Sequence, residues 1–171
     1  MSENNNFTEI ALADLKLNPF EAIGKDWLLI TAGDAQKANT MTASWGGMGV
    51  LWNENVAFVF IRPQRYTKEF VDAKGCFSLS FFQGQREALS LLGSVSGRDR
   101  DKIAESGLHL TMLDGVPAFA EARLVLLTDT LYTAEIDPTG FLKPEYIQKC
   151  YPQADFHTMY VAKIRKAYAA Q

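Results

Sequence analysis

At 171 residues and 47% hydrophobic content, the chain is the size of one ordinary domain and can bury a single sizeable core. Its 17 Lys and Arg stand against 20 Asp and Glu, and a net charge of -3 excludes a global field for nucleic acid or an acidic membrane, leaving room only for a local anion site. Two distant cysteines, Cys76 and Cys150, with no CxxC or Cys/His spacing, argue against a disulfide framework or a zinc site; reduced, buried thiols are expected.

The N-terminus, MSENNNFTEIALADL, places acidic and amide residues where an export signal needs positive charge and an apolar core. No apolar run approaches the roughly 20 residues of a membrane span, so the chain is read as cytoplasmic, with no membrane and no nucleic-acid partner. Residues 1–17 read as a tail or arm, and 18–171 as one domain. Asn18-Pro19 is a turn, and Trp27 to Thr31 is a short strand stopped by Gly33-Asp34. The next strand, Asn39 to Trp45, alternates Thr40, Thr42 and Ser44 on one face with Met41, Ala43 and Trp45 on the other. Gly46, Gly47 and Gly49 interrupt it as a bulge or turn; GGMG is not a GxGxxG nucleotide loop.

Val56 to Ile61 is a strand covered on both faces and ended by Pro63. Thr67 is placed to cap a helix over 68–74 that stops at Gly75. Cys76 to Phe82 sets Phe77, Leu79 and Phe81 against Ser78 and Ser80, a strand with one small polar face. A helix over 85–92, a loop from Ser94, and a short helix capped by Asp99 and running to Ser106 follow. Arg123 to Ile136 is a long strand, 144–149 a short helix, and Met159 to Tyr168 a last strand. Six or more strands with short helices and no βαβ rhythm favour a mainly β fold, a barrel with helices plugging its ends.

Arg62 and Arg65 flank a proline beyond a buried strand, with Thr67 at a helix start. Two guanidinium forks, a hydroxyl and free helix N–H groups complement a phosphate dianion; the alternative is that both arginines are solvated or pair with Glu54 and Glu69. Thr42 and Ser44 can hydrogen-bond the heteroatoms of a flat ring walled by Trp45 or Met48. His109 reads as a surface strand histidine. In Asp155-Phe156-His157, an acid two residues before an imidazole can set its tautomer, with the Tyr160 phenol in reach.

The blocks Asn39 to Gly47, Phe60 to Thr67, Phe77 to Phe81 and Asp155 to His157, in that order, resemble the flavin reductase-like proteins, most closely their flavoredoxin branch. The resemblance implies a split β-barrel that binds FMN non-covalently and forms a homodimer with the flavin near the interface. It implies that Asn39, Thr40, Met41, Thr42, Ala43, Ser44 and Trp45 line the flavin ring and ribityl chain, that Arg62, Arg65 and Thr67 hold the phosphate, and that Tyr66 also contacts the cofactor. By the same resemblance Ser78, and Ser96 and Arg98 in the SVSGRDRDK loop, lie near the flavin or the dimer contact, and His157 positions the electron donor. The expected reaction is that of an oxidoreductase taking hydride or electrons from NAD(P)H; the alternative is an electron carrier that does not turn over NAD(P)H.

Overall fold

The structure is a computed structural model that describes residues 6–171; the first five residues of the expected tail lie outside it. An antiparallel sheet carries strands β2 (Leu28–Gly33), β3 (Ala38–Ala43), β4 (Gly46–Leu51), β5 (Glu54–Ile61), β6 (Cys76–Phe81), β9 (Leu124–Glu135) and β10 (Thr158–Ala170) in the order β3-β2-β6-β9-β10-β5-β4. β1 (Phe7–Ile10) adds to the far end of β10, pairing Phe7 with Ala170 and Ile10 with Ala167. Ile10, Leu12, Leu15 and Leu17 pack on the core, so this part of the N-terminal arm is laid against the body. β7 (Leu110–Leu113) and β8 (Val116–Phe119) form a separate hairpin.

The sheet order contains the reason for the shape. β3 and β4 are the two ends of the path, yet only Ser44 and Trp45 separate them in sequence. Three chain steps span at most about 11 Å. The sheet therefore curls until its two edges meet, giving a barrel left open at one seam, as the mainly β, split-barrel reading expects. The glycines are not a bulge within one strand, as expected; Gly46 opens a second strand on the opposite edge. A Cβ at Gly46 would lie 2.8 Å from the Phe58 carbonyl, so only glycine allows β4 to meet β5 there.

Curling makes an inside and an outside, and the strands are apolar on both. Leu28, Ile30, Leu124 and Leu126 point into the barrel core, while their neighbours Leu29, Val125 and Leu127 join a second cluster. That outer cluster is roofed by Leu89 and Leu92 of α3 (Arg86–Ser94) and by Val116 and Phe119 of β8. Truncating a fully buried leucine such as Leu126 is expected to cost about 2–5 kcal/mol. The roof also disposes of the small polar face of β6. Ser78 is fully buried and donates to the Pro117 carbonyl at 2.6 Å.

Two expectations about helix termini are corrected. Thr67 does not cap α2 (Tyr66–Lys74); the N-cap is Arg65, without a capping side chain, and the Thr67 hydroxyl instead accepts from Asn39 Nδ2 at 2.8 Å. α4 (Lys102–Ser106) is capped by Asp101, not Asp99. His109 is at the surface as expected, one residue before β7 rather than within it, with its ring 2.7 Å from Glu121. Both cysteines are free and half-buried.

Candidate active site

The seam is where the barrel cannot close its own hydrogen bonds. Among the described residues β3 pairs only with β2, so its outer edge offers backbone groups with no strand partner there. A cleft runs along that edge in two connected parts that share Met41, Arg62 and Arg65. One part, about 170 Å³, is walled by Thr42, Ala43, Ser44, Trp45, Phe60 and His157. The other, about 420 Å³, lies between the start of α2, with Tyr66 and Thr67, and the Gly93 to Gly97 turn with Ser96 and Lys102. A larger cavity of about 590 Å³ lies near Arg86 and Arg123. Its arginines are engaged by the Lys25 and Phe82 carbonyls, and Arg86 is stacked on Trp27.

The wide part of the cleft is an assembly of cations at the end of α3. Arg65 donates through Nη1 to the Gly93 carbonyl. Lys102 is only 3% exposed and donates through Nζ to the Leu92 carbonyl at 2.8 Å and the Val95 carbonyl at 2.9 Å. Carbonyls at a helix C-terminus attract such groups. Among the described residues neither cation has a carboxylate partner within salt-bridge distance. Burial first, and then the neighbouring Arg65, lowers Lys102 to about 8. Burial and then Arg62 also disfavour the charge on Arg65. An ammonium has three N–H donors and a guanidinium five, so both retain unused donors for the cleft.

Arg62 has a different local role. Its guanidinium meets the Asp155 carboxylate at 2.6 Å and donates to the Cys150 carbonyl at 2.9 Å and the Asp155 carbonyl at 3.3 Å. It thereby fastens both ends of the 150–155 loop to the end of β5. Neither expected alternative partner is used: Glu54 pairs with Lys163, and Glu69 with Arg98.

His157 reaches the narrow part from the start of β10. Its ring packs on Trp45 at 5.3 Å and edge-on to Phe60 at 6.5 Å between centroids. Its Nδ1 lies 2.9 Å from the Tyr151 hydroxyl. The expected Asp155 contact is replaced, because Asp155 turns to Arg62 and Gln64, and Tyr160 donates to Asp72. Burial first, and then the Arg62 charge, pulls His157 down to about 4, so its ring is neutral at pH 7.

Of the residues read from the sequence, Met41, Thr42, Ala43, Ser44, Trp45, Arg62, Arg65, Tyr66, Thr67, Ser96 and His157 line the cleft. Thr42 is tied down, its hydroxyl donating to the Leu89 carbonyl. Asn39 lies behind the wall, holding Thr67 and packed against Gly97. Two residues are corrected outright. Ser78 is sealed under β8, and Thr40 is fully buried with its hydroxyl on Thr31 and the Ile30 carbonyl. Arg98 does not line the cleft; it pairs with Glu69, donates to the Gln64 carbonyl at 3.2 Å and lies 4.6 Å over the Tyr66 ring. Lys102 and Tyr151 were missed. The only sequence signal for Lys102 was its place at the end of the SVSGRDRDK loop, and Tyr151 had none.

Comparison with known proteins agrees with this architecture. No curated protein sequence matches the chain. Among solved structures, an FMN-binding domain of a flavin reductases-like enzyme from Shewanella baltica has a TM-score of 0.70 at 19% identity, over 97% of this chain and 78% of that one. Flavoredoxin from Methanosarcina acetivorans has a TM-score of 0.66 at 24% identity, over 85% and 69%. Flavoredoxin of Desulfovibrio vulgaris has a TM-score of 0.66 at 19% identity, over 96% and 78%. These are likenesses of fold. The model of the flavin reductase like domain matches residues 21–170, nearly the whole chain, and the protein therefore belongs to that family.

Proposed function

We propose that the cleft binds FMN non-covalently and that the protein is an oxidoreductase drawing hydride or electrons from NAD(P)H. The observation that carries this reading is the pairing of two unlike ends in one cleft. Arg65 and Lys102, without carboxylate partners among the described residues, stand beside the uncapped N-terminus of α2, a fit for a phosphate dianion. Met41 to Trp45, Phe60 and His157 make a narrow wall for a flat ring, with unpaired β3 backbone groups as hydrogen-bond partners.

In this reading Arg65, Lys102, Thr67 and the Ser94 to Gly97 turn hold the phosphate, and Arg62 serves mainly by fixing the 150–155 loop. Trp45, which is 47% exposed, and His157 cover the ring position and limit water. FMN supplies the redox chemistry; the chain binds, orients and shields it. Exposed Trp52 and Tyr132, in edge contact at 6.2 Å, with Leu131 beside them, support a homodimer, also part of the proposal. Among the described residues no helix is long and apolar enough to cross a membrane, and a cytoplasmic location is proposed.

The test is the visible spectrum of purified protein incubated with FMN, followed by anaerobic addition of NADH or NADPH. Retained yellow colour that either nicotinamide bleaches is the expected result. Yellow protein that neither reduces makes the protein a carrier, and protein that retains no FMN overturns the reading.

A further inference from the structure

We infer that Tyr151 is a positioning residue, which locks His157 in the tautomer with its proton on Nε2 and so presents the cleft with a fixed hydrogen-bond donor. The ligand group it suits is one with a lone pair, a carbonyl oxygen or an unprotonated ring nitrogen. That last step rests on the flavin and nicotinamide reading above; the lock itself does not.

The argument starts with how rigidly the phenol is held. Tyr151 follows α5 (Glu145–Cys150) and is only 7% exposed. Phe156 packs on its ring at 4.7 Å and Phe141 at 6.2 Å, with the Arg62 guanidinium 5.1 Å over it. The chain then reverses, with the Ala154 N–H donating to the Tyr151 carbonyl at 3.0 Å, and Arg62 pins the loop at Cys150 and Asp155. His157 is thus returned against the phenol. Neither ring can turn without breaking this packing.

The proton can then be placed. Among the described residues the Tyr151 hydroxyl has no acceptor other than Nδ1, so its one hydrogen is satisfied by donating there and Nδ1 accepts; burial, which raises the phenol, keeps that hydrogen in place. A neutral imidazole that accepts at Nδ1 carries its hydrogen on Nε2. Nε2 has no hydrogen-bond partner among the described residues and is not one of their buried unsatisfied atoms, so it opens on the cleft that His157 lines. The charged groups acting on this ring are Arg62, Asp155 and Arg65.

Nitrogen NMR of ¹⁵N-histidine-labelled, ligand-free protein tests the lock, with His157→Gln separating the two histidines. The expected spectrum at pH 7 shows His157 wholly as the Nε2–H form, with Nδ1 shifted as a hydrogen-bond acceptor. In Tyr151→Phe, which keeps the ring packing, the Nδ1 shift should lose that signature and the Nδ1–H form should become measurable. An Nδ1–H tautomer in the wild type overturns the inference, as does a folded Tyr151→Phe with an unchanged Nδ1 shift. If Tyr151→Phe does not fold, the wild-type tautomer decides alone. Since no flavin is present, failure here leaves the FMN reading standing, and failure to bind FMN leaves the lock standing.

Discussion

Arg65 and Lys102 donate into the same helix end, one to the Gly93 carbonyl and the other to the carbonyls of Leu92 and Val95. Two like charges are thereby held together at low exposure. An anion between them relieves both the repulsion and the lost solvation. With Lys102 at about 8, its charge disappears within an accessible pH range. A phosphate monoester is already fully dianionic there, since its second pKa is about 6. FMN affinity should therefore fall as pH rises from 7 to 9. Lys102→Met should bind about 10- to 100-fold more weakly at pH 7, the worth of one hydrogen bond to a charged group, and lose most of that pH dependence. Flavin fluorescence titrations at several pH values measure both; equal slopes in the two proteins would count against the assignment.

A second prediction concerns the turn that faces these cations. A Cβ at Gly97 would sit 2.1 Å from Asn39 Oδ1, and Asn39 is itself buried and bonded to Thr67. Gly97→Ala must displace the asparagine or the turn, at a cost of about 1–3 kcal/mol, and should weaken FMN binding as well. Asn39→Ala removes the obstacle. The double mutant should thus be more stable than the sum of the single changes by about 1 kcal/mol, which denaturant unfolding of the four proteins measures. Additivity would mean that the Asn39 contact is not the source of the cost.

These two sites also show what could be read before the structure. The strands of the barrel were legible because apolar runs such as Leu124 to Leu127 tell of burial on both faces. Arg65, Thr67 and the Met41 to Trp45 wall were legible from residue type and resemblance. The seam was not. Nothing local says that Ala43 and Gly46 lie on opposite edges of one sheet, since strand partners are chosen by contacts distant in sequence. For the same reason neither the burial of Lys102 beside Arg65 nor the tie of Arg62 to Asp155 was legible.

Ser78 and Ser80 make the point testable, because alternation alone gives them one role. Both are fully buried on the roofed face of β6. Ser78 donates to the Pro117 carbonyl, whereas the Ser80 hydroxyl has no partner among the described residues. Ser78→Ala should cost about 1–2 kcal/mol, since it strands a buried carbonyl. Ser80→Ala should be neutral or stabilise by up to about 1 kcal/mol. Thermal unfolding of the two variants decides, and equal losses would refute the distinction.

The last prediction follows from the buried imidazole. His157 is depressed from 6.5 to about 4, while in the unfolded chain it takes up a proton near its ordinary value. Between these values the unfolded state binds more protons, so stability is fully present above pH 6.5 and is lost as pH falls through 4. The difference corresponds to about 3 kcal/mol, and low exposure means solvent screens little of it. Carboxylates also titrate in this window, so the informative quantity is the difference from His157→Gln, which has no ionisable group at that position. The wild type should lose about 3 kcal/mol more than the variant between pH 7 and pH 3 in denaturant titrations. Parallel pH profiles for the two proteins would show that the imidazole charges as readily in the folded state as in the unfolded one.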